Sequence, residues 1–181
     1  AEIDTEIDTE IDTEIDTEID TVTDKNINTD KPELLTNKIQ LNKNSRSVLV
    51  NKISEHEKIV LKELMIFFTK ERIELIKPII NQESSISLRL IDWTPTNYAK
   101  KNCIKYRLKT GPKAGEMIDV YESYKNYMSS YKKNILFDLF RRGSSIKYYY
   151  GDNDTEFLIT SVKQLNSFRW VLEIDLLSYI E

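Results

Sequence analysis

The feature that most constrains this chain is the separation of opposite charges along its length. Residues 1–21 repeat a Glu-Ile-Asp-Thr unit and carry ten acidic side chains with no Lys or Arg. The whole chain has 26 basic and 30 acidic residues, so its net charge of −4 conceals a net charge of +6 on the 160 residues after the repeat. The overall charge is therefore a poor guide to what either part of the chain binds.

The repeat and the polar stretch after it contain few large apolar side chains. A helix would bring like charges together one turn apart, and a strand would gather every carboxylate of the repeat on one face. Neither form buries enough surface to offset the loss of chain entropy. We therefore expect residues 1–47 to be a disordered low-complexity tail. The alternative is a functional polyanion that covers the basic part of the chain in competition with another anionic partner.

Residues 48–181 are enough for one domain of ordinary size. Across the chain, 40% hydrophobic and 31% charged residues indicate a packed core beneath a strongly ionic surface. The apolar runs are too short to cross a bilayer and no basic leader precedes one, so we expect neither membrane insertion nor export. A single cysteine, Cys103, and a single histidine, His56, leave no internal disulfide and no zinc cluster.

Helix signals dominate the first half of this domain. Ser54 and Glu57 have the spacing of a capping box, and the helix they open is expected to end at Pro78. The apolar residues that recur on one face of this helix are Leu61, Leu64, Phe68 and Leu75. A second helix is expected from the spacing of Ile86, Leu90 and Trp93, with a break or kink at Thr94-Pro95. Alternatively, Thr94 and Pro95 are the N-cap and first position of a short helix that runs to Lys101.

Two hairpins alternate with two helices in the second half. Alternating residues predict strands at 103–108 and 117–121, joined by a Gly-Pro-Lys-Ala-Gly turn, and at 146–150 and 156–160. A helix is expected between the hairpins over 124–135, and another opens at Ser161, whose partner in the capping box is Gln164. This order predicts an α+β fold in which two hairpins form a small antiparallel sheet with helices packed on it.

The last predicted helix carries a second apolar stripe, formed by Trp170, Ile174 and Leu177. A helix that is apolar on two sides is either buried between layers or offers one side to a partner. We favour burial, and self-association or docking of another protein through this stripe is the alternative.

The middle of the domain combines cations with tyrosines. Twelve basic and four acidic residues lie between Asn97 and Lys147, and nine of the ten tyrosines lie between Tyr98 and Tyr150. Cations beside aromatic rings are suited to holding a phosphate backbone and stacking on unpaired bases. The predicted phosphate contacts are Lys100, Lys101, Lys105, Arg107, Lys125, Lys132, Lys133, Arg141 and Arg142, with Tyr106 or Tyr127 for stacking.

The same residues also have simpler interpretations. Tyrosines at helical spacing are commonly core residues, and Lys-rich hairpins are often solvated faces. Arg141 and Arg142 precede Gly143, so they would complement the dipole of a helix that ended there and would need no ligand. The sequence contains no nucleic-acid-binding signature of fixed spacing.

Catalytic chemistry has little support in the sequence. His56 is expected to face solvent without an orienting partner, and Cys103 is expected to be a small buried hydrophobe. Asp92, Asp119 and Asp138 would need tertiary folding to converge on a metal, which is the form a nuclease would take. We therefore expect a non-enzymatic protein without a cofactor, with this metal-dependent nuclease as the alternative.

Three stretches resemble a family of small uncharacterised proteins of nucleocytoplasmic large DNA viruses, the mimivirus-like group. They are Ile86–Trp93 with Thr96–Lys101, then Tyr124-Lys125 with Tyr131–Lys133 and Phe137-Asp138, then Gln164–Asn166 with Phe168–Trp170. The resemblance covers about residues 86–180, and the chain departs from it at Thr94-Pro95 and Leu139. It implies a viral product of the host cytoplasm, at the virus factory, that is packaged in virions.

Together, the charge pattern and the resemblance predict a viral accessory or virion-associated protein. We expect its basic, tyrosine-rich surface to bind nucleic acid with little regard for sequence. The alternative is a structural or protein-interaction module of the virus particle or factory, which would dock another viral protein or itself.

Overall fold

The computed structural model describes residues 37–40, 47–50, 53–130, 136–151 and 155–181. All of them belong to one unit, Glu33–Glu181. The acidic repeat lies outside the described residues. Residues 37–40 form a strand, although they fall within the segment expected to be disordered, so the sheet begins ahead of the predicted boundary at residue 48.

Four strands form an antiparallel sheet in the order β1-β2-β5-β6. Their bounds are Asn37–Gln40 (β1), Ser47–Val50 (β2), Ile146–Tyr149 (β5) and Phe157–Thr160 (β6). The inner pairing places Val48 opposite Tyr148, and the second predicted hairpin aligns Tyr148 with Leu158. The sequence of β2, Ser-Val-Leu-Val, contains two β-branched valines, which are typical of a strand.

The first predicted hairpin is present but belongs to a separate sheet. Strands β3 (Lys105–Arg107) and β4 (Met117–Asp119) pair with each other, and Tyr106 lies opposite Ile118. The prediction of two hairpins is therefore confirmed, whereas the prediction that they share one sheet is wrong. The partner of the second hairpin is the β1-β2 pair, which the sequence assigned largely to the polar tail.

The predicted helix from Ser54 to Pro78 is two helices, α1 (Glu55–Phe67) and α2 (Lys70–Ile80). The capping box of Ser54 and Glu57 is present. The helix is interrupted at Phe68, which has an extended backbone and a fully buried side chain. The Thr69 side chain then caps α2. Proline does not end the second helix, because Pro78 lies within its last turn.

The segment at Thr94-Pro95 is neither a break nor a helix start. Helix α3 (Leu88–Trp93) continues into a π-helical turn, Thr94–Ala99, and then into α4 (Lys100–Asn102). Pro95 has no N–H to donate, and a π-turn accommodates the gap by lengthening the hydrogen-bonded ring. The Thr94 hydroxyl donates to the Leu90 carbonyl at 2.7 Å, so Thr94 is not an N-cap.

Three further helices complete the unit: α5 (Val120–Ser130), α6 (Val162–Glu173) and α7 (Leu176–Ile180). Ser161 caps α6 as predicted, and its hydroxyl accepts from the Gln164 N–H at 3.1 Å. The single C-terminal helix that the pattern predicted is interrupted because Asp175 adopts a left-handed conformation, at φ 53°. Residues 131–135, the end of the predicted middle helix, lie outside the described residues.

Helix α6 lies at the centre of the core. Trp170 and Ile174 are buried, with 1% and 6% of their surface exposed, and Leu177 is half-buried. The Trp170 ring packs against Tyr124, Phe137 and Tyr127. The second apolar stripe is therefore largely internal, as the favoured interpretation of burial expected.

Two buried amides attach the loop after α5 to α6. The Gln164 amide N–H donates to the Leu139 carbonyl at 2.6 Å, and the Asn166 amide N–H donates to the Leu136 carbonyl at 2.8 Å. Gln164 also accepts from the Thr160 hydroxyl at 2.9 Å, so both ends of its amide are satisfied. Residues 136–145 are irregular, which contradicts the expectation of a helix ending at Gly143.

These elements confirm the α+β fold class. One face of the four-stranded sheet contributes Ile146, Tyr148 and Leu158 to the hydrophobic core shared with the helices. The opposite face exposes Phe157 and Ile159. Within the described ranges, no helix is long and apolar enough to cross a bilayer.

Candidate nucleic-acid interface

The predicted phosphate contacts are spread over several elements. Lys132 and Lys133 lie outside the described residues. The other seven are Lys100 and Lys101 on α4, Lys105 and Arg107 on β3, Lys125 on α5, and Arg141 and Arg142 in the loop before β5.

Lys100 and Lys101 line an open groove of about 700 Å³, which we call the aromatic–lysine groove. The groove follows the π-turn, and two large aromatic side chains form part of its wall. Its lining residues are Trp93, Thr96, Asn97, Tyr98, Lys100, Lys101 and Asn102. No carboxylate is among them, so the groove offers positive charge, aromatic surface and neutral polar groups.

Lysines from two elements meet beside this groove. The Lys100 ammonium lies 5.6 Å from the centre of the Tyr121 ring, and the Lys125 ammonium lies 5.1 Å from the same centre. Tyr121 is on α5, which packs against the π-turn. The fold therefore brings together two of the predicted phosphate contacts that are far apart in sequence.

Acidic neighbours neutralise part of this charge. Lys105 pairs with Asp119 at 3.1 Å, and Lys125 pairs with Glu122 at 2.8 Å. The Glu122 backbone N–H, more than Lys105, lowers the pKa of Asp119 below its usual range. Among the described residues, Lys100 and Lys101 form no ion pair, so these two carry the uncompensated charge of the groove.

The two tyrosines predicted to stack on bases are engaged elsewhere. Tyr106 is half-buried, donates to the Ile174 carbonyl at 2.6 Å and stacks on Tyr179 with ring centres 5.3 Å apart. Burial, and then the charge of Asp175, raises the pKa of Tyr106 above its usual range. The Tyr127 hydroxyl donates to the Asn166 side-chain oxygen at 3.0 Å. Both tyrosines therefore act as internal packing groups.

Arg107, Arg141 and Arg142 also have partners within the fold. Arg107 donates to the Gly115 carbonyl across its hairpin. Arg141, in a left-handed conformation at φ 55°, donates to the Ile159 carbonyl of strand β6 at 3.2 Å. Arg142 lies 3.6 Å from Asp138, which also accepts from the backbone N–H of Arg142 at 3.2 Å.

The sequence prediction missed Trp93 as a surface residue and did not select Tyr98 for stacking. In the structure, 47% of Trp93 and 38% of Tyr98 is exposed, and their ring centres are 5.6 Å apart. Their spacing of five residues would separate them by about 140° around an α-helix. The available signal was Pro95 between them, since a proline inside a helical pattern forces an irregular turn.

A second concave surface, which we call the carboxylate cleft, has a volume of about 350 Å³. Asp92 and Asp138 both line it, whereas Asp119 pairs with Lys105 on the first hairpin. The remaining lining residues are Tyr124, Met128, Phe137, Leu139, Phe140, Arg142 and Lys163. Within the described ranges, no group of three His, Cys, Asp or Glu side chains is placed to hold a metal ion.

Asp92 makes the stability of this cleft sensitive to pH. Burial raises the pKa of Asp92, Arg142 and Arg89 oppose the rise, and Asp138 adds to it. A raised carboxyl pKa means that the folded state holds the proton more tightly than the unfolded state does. The free energy of unfolding therefore falls as pH rises above the pKa that Asp92 has in the unfolded chain. We expect Asp92→Asn to gain in Tm relative to wild type as pH rises from about 4 to 7. Thermal melts at both pH values measure this gain, and an equal difference between the two proteins at both would contradict it.

Cys103 and His56, the remaining residues considered for chemistry, are both exposed. Because Cys103 is exposed, the expectation that it is buried is wrong. It ends α4 in a left-handed conformation at φ 51°. It lies in the turn that leads into β3. The next residue, Ile104, accepts a backbone hydrogen bond from the Val120 N–H at 3.1 Å.

Comparisons with known proteins agree with the predicted resemblance. A family model described as a family of unknown function matches residues 17–181. An uncharacterized protein of Acanthamoeba polyphaga mimivirus is 38% identical over 106 residues, which are 57% of this chain and 40% of the relative. The match thus spans less than half the length of that curated relative. No solved structure matches the chain.

Proposed function

Because the chain belongs to the family of unknown function DUF7197, its function must be inferred from its own surface, and we propose that it binds nucleic acid at the aromatic–lysine groove. The observation that carries this proposal is the pair Lys100 and Lys101 in an open groove whose lining has no carboxylate. Lys125, held beside Lys100 by Tyr121, extends the positive surface onto α5.

Phosphate contact is the main source of affinity in this proposal. Lysine is a flexible point charge that neutralises a phosphate and releases its counterions without reading sequence. All three lysines are exposed, Lys100 and Lys101 form no ion pair among the described residues, and Lys125 would exchange its Glu122 partner for a phosphate. We propose this activity for a viral accessory or virion-associated protein of the virus factory, and the similarity to an uncharacterized mimivirus protein supports the viral part of this proposal.

The salt dependence of binding tests the proposal. For three phosphate contacts, affinity for a duplex of about 20 base pairs should fall about 40-fold between about 50 and about 200 mM salt. Fluorescence polarisation of a labelled duplex, titrated with the full chain, measures this fall. Affinity that ignores salt, or no binding at the lower salt, would overturn the proposal.

A protein-interaction role is the second candidate, and one surface favours it. A small depression of about 340 Å³ adjoins the groove and is walled by exposed or half-exposed apolar side chains. Its lining residues are Leu90, Trp93, Thr94, Tyr98, Tyr179 and Ile180. This role predicts association of the full chain that persists in high salt, which sizing chromatography at two salt concentrations measures.

A further inference from the structure

We propose that the aromatic–lysine groove is selective for single-stranded nucleic acid, whose unpaired bases stack on Trp93 and Tyr98. This inference rests on the proposed function, because it names the class of nucleic acid that the same groove takes. Its basis is an aromatic pair that the fold holds at the surface, next to the two uncompensated lysines.

The π-turn creates this pair. An α-helix would direct residues 93 and 98 to different sides, whereas here their rings lie 5.6 Å apart at an interplanar angle of 36°. Pro95 removes one backbone donor, and the hydroxyls of Thr94 and Thr96 donate to the carbonyls of Leu90 and Asp92, each at 2.7 Å. π-turns are uncommon and frequently occur at functional sites. The π-turn thus places the rings of Trp93 and Tyr98 next to each other on the protein surface.

Neighbouring aromatic residues support the pair from behind. Tyr98 and Tyr179 line the same small depression beside the groove, and burial, and then Tyr98, raises the pKa of Tyr179. Tyr179 in turn stacks on Tyr106, whose hydroxyl donates a hydrogen bond to the Ile174 carbonyl between α6 and α7. A row of rings therefore runs from the core to the groove, and Tyr98 is held on one side while its remaining surface is open.

Stacking on exposed rings requires bases that are not already stacked in a duplex. Aromatic side chains beside a basic track are the usual means by which proteins hold single strands without reading their sequence. Lys100 and Lys101 directly follow the aromatic pair and line the same groove, so one strand can place bases on the rings and phosphates on the lysines. A protein partner would be expected to meet acidic as well as basic groups, and the groove lining has no acidic residue.

The test uses the full chain and three probes of matched charge. They are an oligothymidine of about ten nucleotides, an abasic oligomer of the same length, and a duplex with the same number of phosphates. We expect the oligothymidine to bind about tenfold more tightly than both the abasic oligomer and the duplex, and to change the fluorescence of Trp93. Trp170 is buried, so it supplies a constant background.

Two variants assign the effect to the groove. Trp93→Ala with Tyr98→Ala should bring the ratio of oligothymidine affinity to abasic-oligomer affinity, measured in the same variant, close to one. Trp93→Phe keeps an aromatic surface and should keep most of the advantage. Far-ultraviolet circular dichroism checks that both variants are folded.

The outcomes separate the two proposals. If the oligothymidine bound no more tightly than the abasic oligomer or than the duplex, with normal salt dependence, single-strand selectivity would be overturned and phosphate binding would remain in place. No binding of any of the three probes would overturn both proposals and assign the groove, with its apolar neighbour, to a protein partner.

Discussion

Replacing Trp170 with alanine is expected to cost about 3–5 kcal/mol of unfolding free energy. The Trp170 ring is the largest fully buried side chain and packs against three other aromatic rings, with centres 5.6 to 6.4 Å away. Its N–H donates to the Ser123 hydroxyl at 3.1 Å, so truncation removes a hydrogen bond between α5 and α6 as well as the buried area. A domain at the lower end of ordinary stability, about 5 kcal/mol, would be left close to its unfolding threshold.

Urea denaturation followed by far-ultraviolet circular dichroism measures this cost, and Trp93→Ala is the matched control. Both variants lose one indole, yet 47% of Trp93 is exposed against 1% of Trp170. We expect the exposed substitution to change stability by less than about 1 kcal/mol. Similar urea midpoints for the two variants would show that Trp170 is not the centre of the core.

Reversing the charge of both groove lysines, Lys100→Glu with Lys101→Glu, is expected to lower nucleic-acid affinity about 10- to 100-fold at low salt. The change removes two phosphate contacts and places two carboxylates where the phosphate backbone of the nucleic acid would lie. Both side chains are exposed and unpaired among the described residues, so the fold should be unaffected.

The control for this variant makes the same change in net charge on α1. Lys58→Glu with Lys62→Glu replaces two lysines of a helix that does not line the groove. Among the residues that the structure describes, Lys58 pairs with Glu55 alone, and this solvent-exposed pair at 2.5 Å costs little to lose. If both double variants lost affinity equally, net charge rather than the groove would govern binding.

Local signals in the sequence predicted the elements well. Ser54 and Ser161 cap helices as expected, because side-chain capping depends on residues only three positions apart. The two hairpins were also predictable, since alternation and turn residues are local properties. The breaks at Phe68 and Asp175 were not predicted, because tertiary packing of buried side chains overrides a continuous helical pattern there.

The arrangement of the site was less predictable than its charge. Twelve cations in the middle of the chain indicated a basic surface, yet pairing with Asp119, Glu122 and Asp138 is a property of the folded chain. The sequence favoured Tyr106 or Tyr127 over Tyr98 for stacking, and only the fold shows that the first two are half-buried with their hydroxyls bonded inside the protein. Periodicity assumes 3.6 residues per turn, so it could not place Trp93 beside Tyr98 across a π-turn.

The slope of log affinity against log salt concentration, compared between wild type and Lys100→Gln with Lys101→Gln, tests the central claim most directly. Neutral glutamine deletes phosphate contacts without adding repulsion, so the slope counts the contacts that were lost. We predict that the slope for a duplex becomes shallower by about two in the double variant. An unchanged slope would show that these lysines do not touch phosphate and would contradict a nucleic-acid-binding groove.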